Sequence, residues 1–286
     1  MKRKMIMMAC ASLVLLSACS SADRTRERSE VKETASETIE KTEIENTVLY
    51  EQDGLKISTD GYSETGTFGP SIRLLLENDG SEDVVVQVNE CTVNGYMTDT
   101  VLSADVMAGK KAKESLVLSK SSLKECGIDT VADIDVSFRI INASTYMDIA
   151  STPMIAIPTS LSGSYNQKVD DSGTEIYNSN GIRIVSKGTD QNLFGEGIGL
   201  YIDNQSGQDI VVQAWEVSVN GYMTDGTLSC DVLNGTHAVS DLLLSGSSLD
   251  DNGIESLETC DFNLHIYALA TFDTIVDSDP VSLRFE

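Results

Sequence analysis

The side chains in this sequence able to do chemistry are few. Cys91, Cys126, Cys230 and Cys260 form no CxxC and no zinc-type spacing, so thiol redox catalysis and a metal site have little support. Two readings stand for them. They are small buried hydrophobes, or, in an exported chain, bridges Cys91–Cys126 and Cys230–Cys260. His237 and His265 are the only histidines. His265 has outward parity in its strand and Cys260 inward parity, so that strand cannot join them as a dyad. Both histidines read as surface residues. No GxSxG, P-loop, GxGxxG or HExxH motif occurs. Carboxylates abound, but the sequence singles out no acid–base pair. No cofactor is implied, and the expectation is a protein that is not an enzyme.

Trp215 is the only tryptophan. Its parity matches Val217 and Val219, which predicts core packing; the alternative is an exposed stacking platform for a sugar. The polar residues that draw attention come in pairs. Val93–Asn94–Gly95–Tyr96–Met97–Thr98–Asp99 recurs as Val219–Asn220–Gly221–Tyr222–Met223–Thr224–Asp225, an offset of 126 positions (93 against 219). The offset runs without a gap from Leu74/Leu200 to Ile140/Ile266, so one domain is duplicated in tandem. Asn-Gly is the type I′ hairpin signal, so this heptad is first a hairpin tip. The alternative makes it a loop that binds, with Asn94, Tyr96, Asp99, Asn220, Tyr222 and Asp225 as candidates.

The elements that must position these residues are strands. Ile72, Leu74 and Leu76 fall on one face of their strand, and Ile134, Val136, Phe138 and Ile140 alternate with Asp133, Asp135, Ser137 and Arg139; copy two repeats both patterns. Period-two alternation with one polar face predicts half-buried antiparallel strands. Ser122-Leu123-Lys124-Glu125 has capping-box form and Gly127 can close one helical turn; Ser248, Asp251 and Gly253 match it. About seven short strands per copy, separated by turns, predict an all-β chain of two tandem immunoglobulin-like antiparallel β-sandwiches after a disordered stalk. The chain lacks the paired inter-sheet cysteines and the core tryptophan of antibody domains, so antibody-type details do not carry over.

The N-terminus reads as an address. Lys2-Arg3-Lys4 precedes an apolar run, Met5 to Leu16, which is too short to span a membrane as a mature helix. It ends in Leu16-Ser17-Ala18-Cys19, which resembles the lipobox of bacterial lipoproteins. That resemblance implies cleavage before Cys19 and a lipid on its thiol, giving a protein anchored to the cell membrane and facing the extracytoplasmic side. In layout, residues 16–286 resemble Gram-positive lipoproteins that carry immunoglobulin-like modules behind a charged stalk. The expected divisions are 1–18 signal peptide, 19–46 stalk, 47–158 first repeat, 159–174 linker and 175–286 second repeat. The stalk is rich in Ser, Thr, Glu and Lys, with almost nothing to bury.

Charge excludes one class of partner. With 20 Lys+Arg against 45 Asp+Glu the formal charge is −25, and removal of residues 1–18 takes away three bases and no acid. Such a field repels nucleic acid. Acid-rich turns that gather Ca²⁺ are the sharper alternative to a merely solvated surface. The reading is therefore a lipid-anchored, non-catalytic binding or accessory module whose partner is an unknown envelope or extracellular component. The alternatives are a structural spacer and a carboxylate-based hydrolase.

Overall fold

A computed structural model of the chain describes residues 42–192 and 195–285. The signal segment, the lipobox with Cys19 and most of the expected stalk lie outside the described residues. The first repeat comprises β1 (Val48–Gln52), β2 (Leu55–Ser63), β3 (Ser71–Asn78), β4 (Val84–Val93), β5 (Tyr96–Met97), β6 (Thr100–Val101), β7 (Ser103–Val106), β8 (Lys110–Leu118), α1 (Lys120–Glu125), β9 (Asp133–Asn142), β10 (Asp148–Ser151) and β11 (Ile155–Pro158). The second comprises β12 (Thr174–Ser179), β13 (Ile182–Asn192), β14 (Gly195–Asn204), β15 (Ile210–Val219), β16 (Tyr222–Met223), β17 (Gly226–Thr227), β18 (Ser229–Val232), β19 (Thr236–Leu244), α2 (Gly246–Asp251), β20 (Thr259–Ala268), β21 (Thr274–Asp277) and β22 (Val281–Arg284).

Each repeat is an antiparallel sandwich. In the first, β1-β2-β3-β8-β6 faces a sheet built on β10-β9-β4-β5, with β11 on β9 and β7 on β4. In the second, β12-β13-β14-β19, with β17 on β19, faces β16-β15-β20-β21, with β18 on β15 and β22 on β20. The alternation sets the inward faces as expected. Ile72, Leu74, Leu76, Val136 and Phe138 lose all exposure, as do Leu200, Ile202, Cys260, Leu264 and Ile266. Each such side chain contributes about 1.5–3 kcal/mol of burial.

The two sandwiches share a sheet. The first repeat's β5 lies beside the second repeat's β19 in parallel, pairing Tyr96 with His237, and the backbone N–H of His237 donates to the Gly95 carbonyl at 2.9 Å. An 11-stranded sheet therefore runs through both repeats. The connecting segment is tied down as well. Gln167 bridges Asn94 and the Gly127 carbonyl, while Arg183 pairs with Asp171 and Lys187 with Asp170. The C-terminal end of the expected stalk is folded too: Ile44 bridges Thr159, and the Glu43 N–H donates to Ser160 Oγ.

Three sequence-based expectations need correction. Both helices start earlier than the capping-box reading placed them. The caps are Ser119 and Ser245, while Ser122 and Ser248 sit inside the first turn and accept from the N–H groups of Asp99 and Asp225 at 3.0 and 3.1 Å. Gly127 and Gly253 do close the turns, with φ of +64° and +68°. Second, each repeat holds more strands than seven, because the long edge of each hairpin breaks into two-residue pieces around Thr98 and Thr224. Third, Trp215 is not in the core. A β-bulge in β15, with Glu216 at φ +53°, inserts one residue between Ala214 and Val217 and reverses the parity before it. Trp215 therefore shares the outer face and is 49% exposed.

Candidate functional site

Both Asn-Gly hairpins have the type I′ backbone: Asn94 and Gly95 sit at φ +51° and +82°, Asn220 and Gly221 at +50° and +83°. Their asparagines are engaged with the fold itself. Asn94 Nδ2 donates to the Thr130 carbonyl at 2.7 Å, and Oδ1 accepts from the N–H groups of Ala132 and Asp133. Asn220 repeats this with Ser256, Glu258 and Thr259. Asp99 and Asp225 anchor the helices through their backbone carbonyls, which accept from the caps at 2.8 Å. The same sequence thus clamps the same hairpin twice.

The two hairpin tips meet different fates. Tyr96 is 1% exposed, its ring 5.1 Å from that of His237, which in turn stacks on Tyr201 at 5.6 Å. His237 Nδ1 lies 2.8 Å from the Tyr201 hydroxyl and 3.2 Å from Asp203 Oδ1. Burial pushes the Tyr96 phenol up to about 12. His237 is thus part of the contact between the repeats rather than a bare surface residue. At the matching position Tyr222 is 55% exposed, and Met223 is 68% exposed.

A continuous aromatic face occupies the outside of β15 and β20. Trp215 lies over His265, with ring centroids 3.8 Å apart and planes 15° from parallel. The His265 side chain keeps only 12% of its exposure, so the indole covers it and presents its other face to solvent. His265 Nδ1 meets Asp277 Oδ1 at 2.6 Å, which holds the imidazole beneath the indole. The ring series continues to Tyr267 at 5.5 Å and to Phe272, 74% exposed, at 6.1 Å beyond it. Amides fill the flanks. Gln213 Oε1 accepts from the indole N–H at 3.3 Å, and Asn263 donates to Glu216 at 3.1 Å. The first repeat places Asn89, Arg139, Ile141 and Tyr146 at these positions, and Arg139 is tied to Asp148. The aromatic face therefore belongs to the second repeat alone.

Between the repeats lies a polar cleft of about 1500 Å³, lined among others by Glu90, Asp99, Glu125, Lys187, Asp231 and Asp241. Burial, then the charges of Asp231 and Asp209, hold the Glu90 carboxyl above its ordinary range, and burial raises Asp231 also. Sequence reasoning missed this pair, because Glu90 and Asp231 come together only when the two repeats dock. All four cysteines outside the N-terminal segment are free thiols, so neither candidate bridge is formed. Cys126 Sγ is engaged by the Met97 carbonyl and Cys91 Sγ by the Thr92 carbonyl. Burial pushes each of the four thiols up to about 12. Among the described residues no group of three or more His, Cys, Asp or Glu could hold a metal ion. No helix among them is long and apolar enough to cross a membrane.

No family model matches the chain, and no curated protein matches it.

Proposed function

We propose that this protein is a lipid-anchored, extracytoplasmic binding module whose second repeat holds a saccharide of the cell envelope on its aromatic face. The observation that carries the reading is Trp215, laid flat on His265 with its free face in solvent. An indole packs well against the apolar C–H face of a pyranose, and its burial supplies most of the contact area. Gln213, Asn263 and Asp277 flank it, held by Tyr267, Glu216 and His265, and supply polar atoms beside the ring face. Support of the indole from below lowers the ordering cost of binding, since the anchor is already in place. The lipobox-like Leu16–Cys19 stretch supplies the anchor to the membrane.

The chain reports on this site itself, because Trp215 is its only tryptophan. Titration with soluble amino-sugar oligosaccharides should change the intrinsic emission in a saturable way. Trp215→Ala should weaken binding about tenfold or more by calorimetry. Binding that survives Trp215→Ala unchanged, or silence across a broad glycan set, would sink the reading. The cleft favours a second reading. Glu90 and Asp231 line one concavity, and a carboxyl held above its ordinary range is what a general acid requires. Turnover of any glycan that disappears in Glu90→Gln would put that reading first.

A further inference from the structure

The duplication leaves one contact made and its counterpart open. In the first repeat the hairpin tip Gly95–Tyr96–Met97 is covered by the outer face of β14 and β19, through Tyr201, His237 and Val239. Met97 packs in turn against the second repeat's core. In the second repeat the same tip, Gly221–Tyr222–Met223, has the same backbone, and both side chains stand in solvent. Among the described residues the first repeat's own version of the receiving face is likewise uncovered, with the Lys111 and Lys113 side chains 63% and 72% exposed. On β3 and β8 it carries Leu75, Lys111 and Lys113 in place of Tyr201, His237 and Val239.

We infer that the Tyr222 hairpin docks on the β3/β8 face of the first repeat of a second copy of this chain, continuing between molecules the contact that joins the repeats within one. Two observations select this occupant. The first is continuity: the fold already shows which surface covers this tip, and each chain carries one unused copy of both halves. The His237–Asp203 pair on the occupied face has its counterpart in the Lys111–Glu77 pair on the free one. The second is charge. Asp225, Asp250, Asp251, Glu255 and Glu258 lie on the segments that hold the Tyr222 hairpin, where Asn252 donates to the Met223 carbonyl and Asn220 ties to Ser256 and Glu258, and no Lys, Arg or His lies within residues 219–236 or 245–264. The corresponding end of the first repeat carries Lys120 and Lys124. A twofold dimer tip to tip would press two acidic ends together. The lysines of β8, with side chains 63% and 72% exposed, offer the opposite charge and can sit over the Tyr222 ring. Tip on face is a heterologous contact, so it propagates as a row rather than closing as a dimer. Lysine stems are a poorer seat than tyrosine and histidine, and the contact is correspondingly weak in solution. Anchorage to one surface would concentrate it.

The test is sedimentation velocity of the full chain, carrying Cys19→Ser and held in mild detergent, over a concentration series. The expected result is growth through dimer and trimer that recedes with added salt. Tyr222→Asp, a change at an exposed position, should weaken association about tenfold or more. Lys111→Glu/Lys113→Glu should do the same from the other side. The milder Lys111→Gln/Lys113→Gln serves if reversal beside Glu77 and Asp60 disturbs folding. The deciding arm mixes the two capped variants, one with a working face only and one with a working tip only. They should form a heterodimer that grows no further. A wild-type chain that stays monomeric throughout, association untouched by Tyr222→Asp, a closed wild-type dimer, or no heterodimer on mixing would each overturn the inference.

Discussion

Glu90 shows how a single carboxyl reports on its surroundings. Its acid form is favoured in the folded cleft by burial first, and then by the negative charges of Asp231 and Asp209. The folded state therefore keeps this proton to a higher pH than the unfolded chain does. The sign follows: as pH climbs above the ordinary Glu value of 4.5, the native state must ionise an unfavourably placed group, and stability falls until that group has titrated. Glu90→Gln should leave stability little changed near about pH 4 and raise it relative to the parent near about pH 8. Urea unfolding at the two pH values measures this, and equal midpoints at both would show that the cleft does not strain the carboxylate. Trp215 makes the complementary point. Residue type alone marked it for either core or ligand, and one inserted residue in β15 decided between them.

The repeated hairpin is the element on which the chain depends twice. Its Asn-Gly pair requires two consecutive positive φ values, which L side chains other than Asn and Asp rarely supply. Gly95 and Gly221 have no atom within 4 Å of where a Cβ would stand, so replacement by alanine meets no steric clash and measures backbone strain alone. Each Gly→Ala change should cost about 1 kcal/mol or slightly more. Thermal unfolding of Gly221→Ala checks this without touching the contact between the repeats. A larger loss would mean that the exposed tip contributes more to the fold than its geometry suggests. The hairpins, the strand faces away from the β15 bulge and the closing glycines of α1 and α2 were legible in the sequence, because local chemistry sets them. The helix starts were not. A serine three residues downstream of the true cap looks the same in sequence, and its role in binding Asp99 or Asp225 depends on a neighbouring loop.

At the scale of the molecule, the parallel contact of β5 with β19 turns two domains into one structure. Tyr96 is its buried aromatic centre. Tyr96→Ala should cost about 3–5 kcal/mol, the usual range for a large aromatic truncated in a packed site. It should also divide a single unfolding transition into two in calorimetry as the repeats lose their coupling. The matched change Tyr222→Ala should leave both midpoint and shape of the transition nearly unchanged, because that ring is already in water. If the two substitutions behaved alike, the tertiary contact would not be the source of the difference between the copies.

From the sequence by itself came the all-β class, the duplication, the inward sets of β3, β9, β14 and β20 and the type I′ turns. These follow from side-chain period and backbone preference, which are local and survive without knowledge of the partner strand. Tertiary structure decided which copy of Tyr96/Tyr222 is buried, that Trp215 lies over His265 and that Glu90 shares a cleft with Asp231. Each of these depends on residues brought together across a bulge or between repeats. Sequence spacing carries no signal for that juxtaposition, since burial and charge act through distance in space.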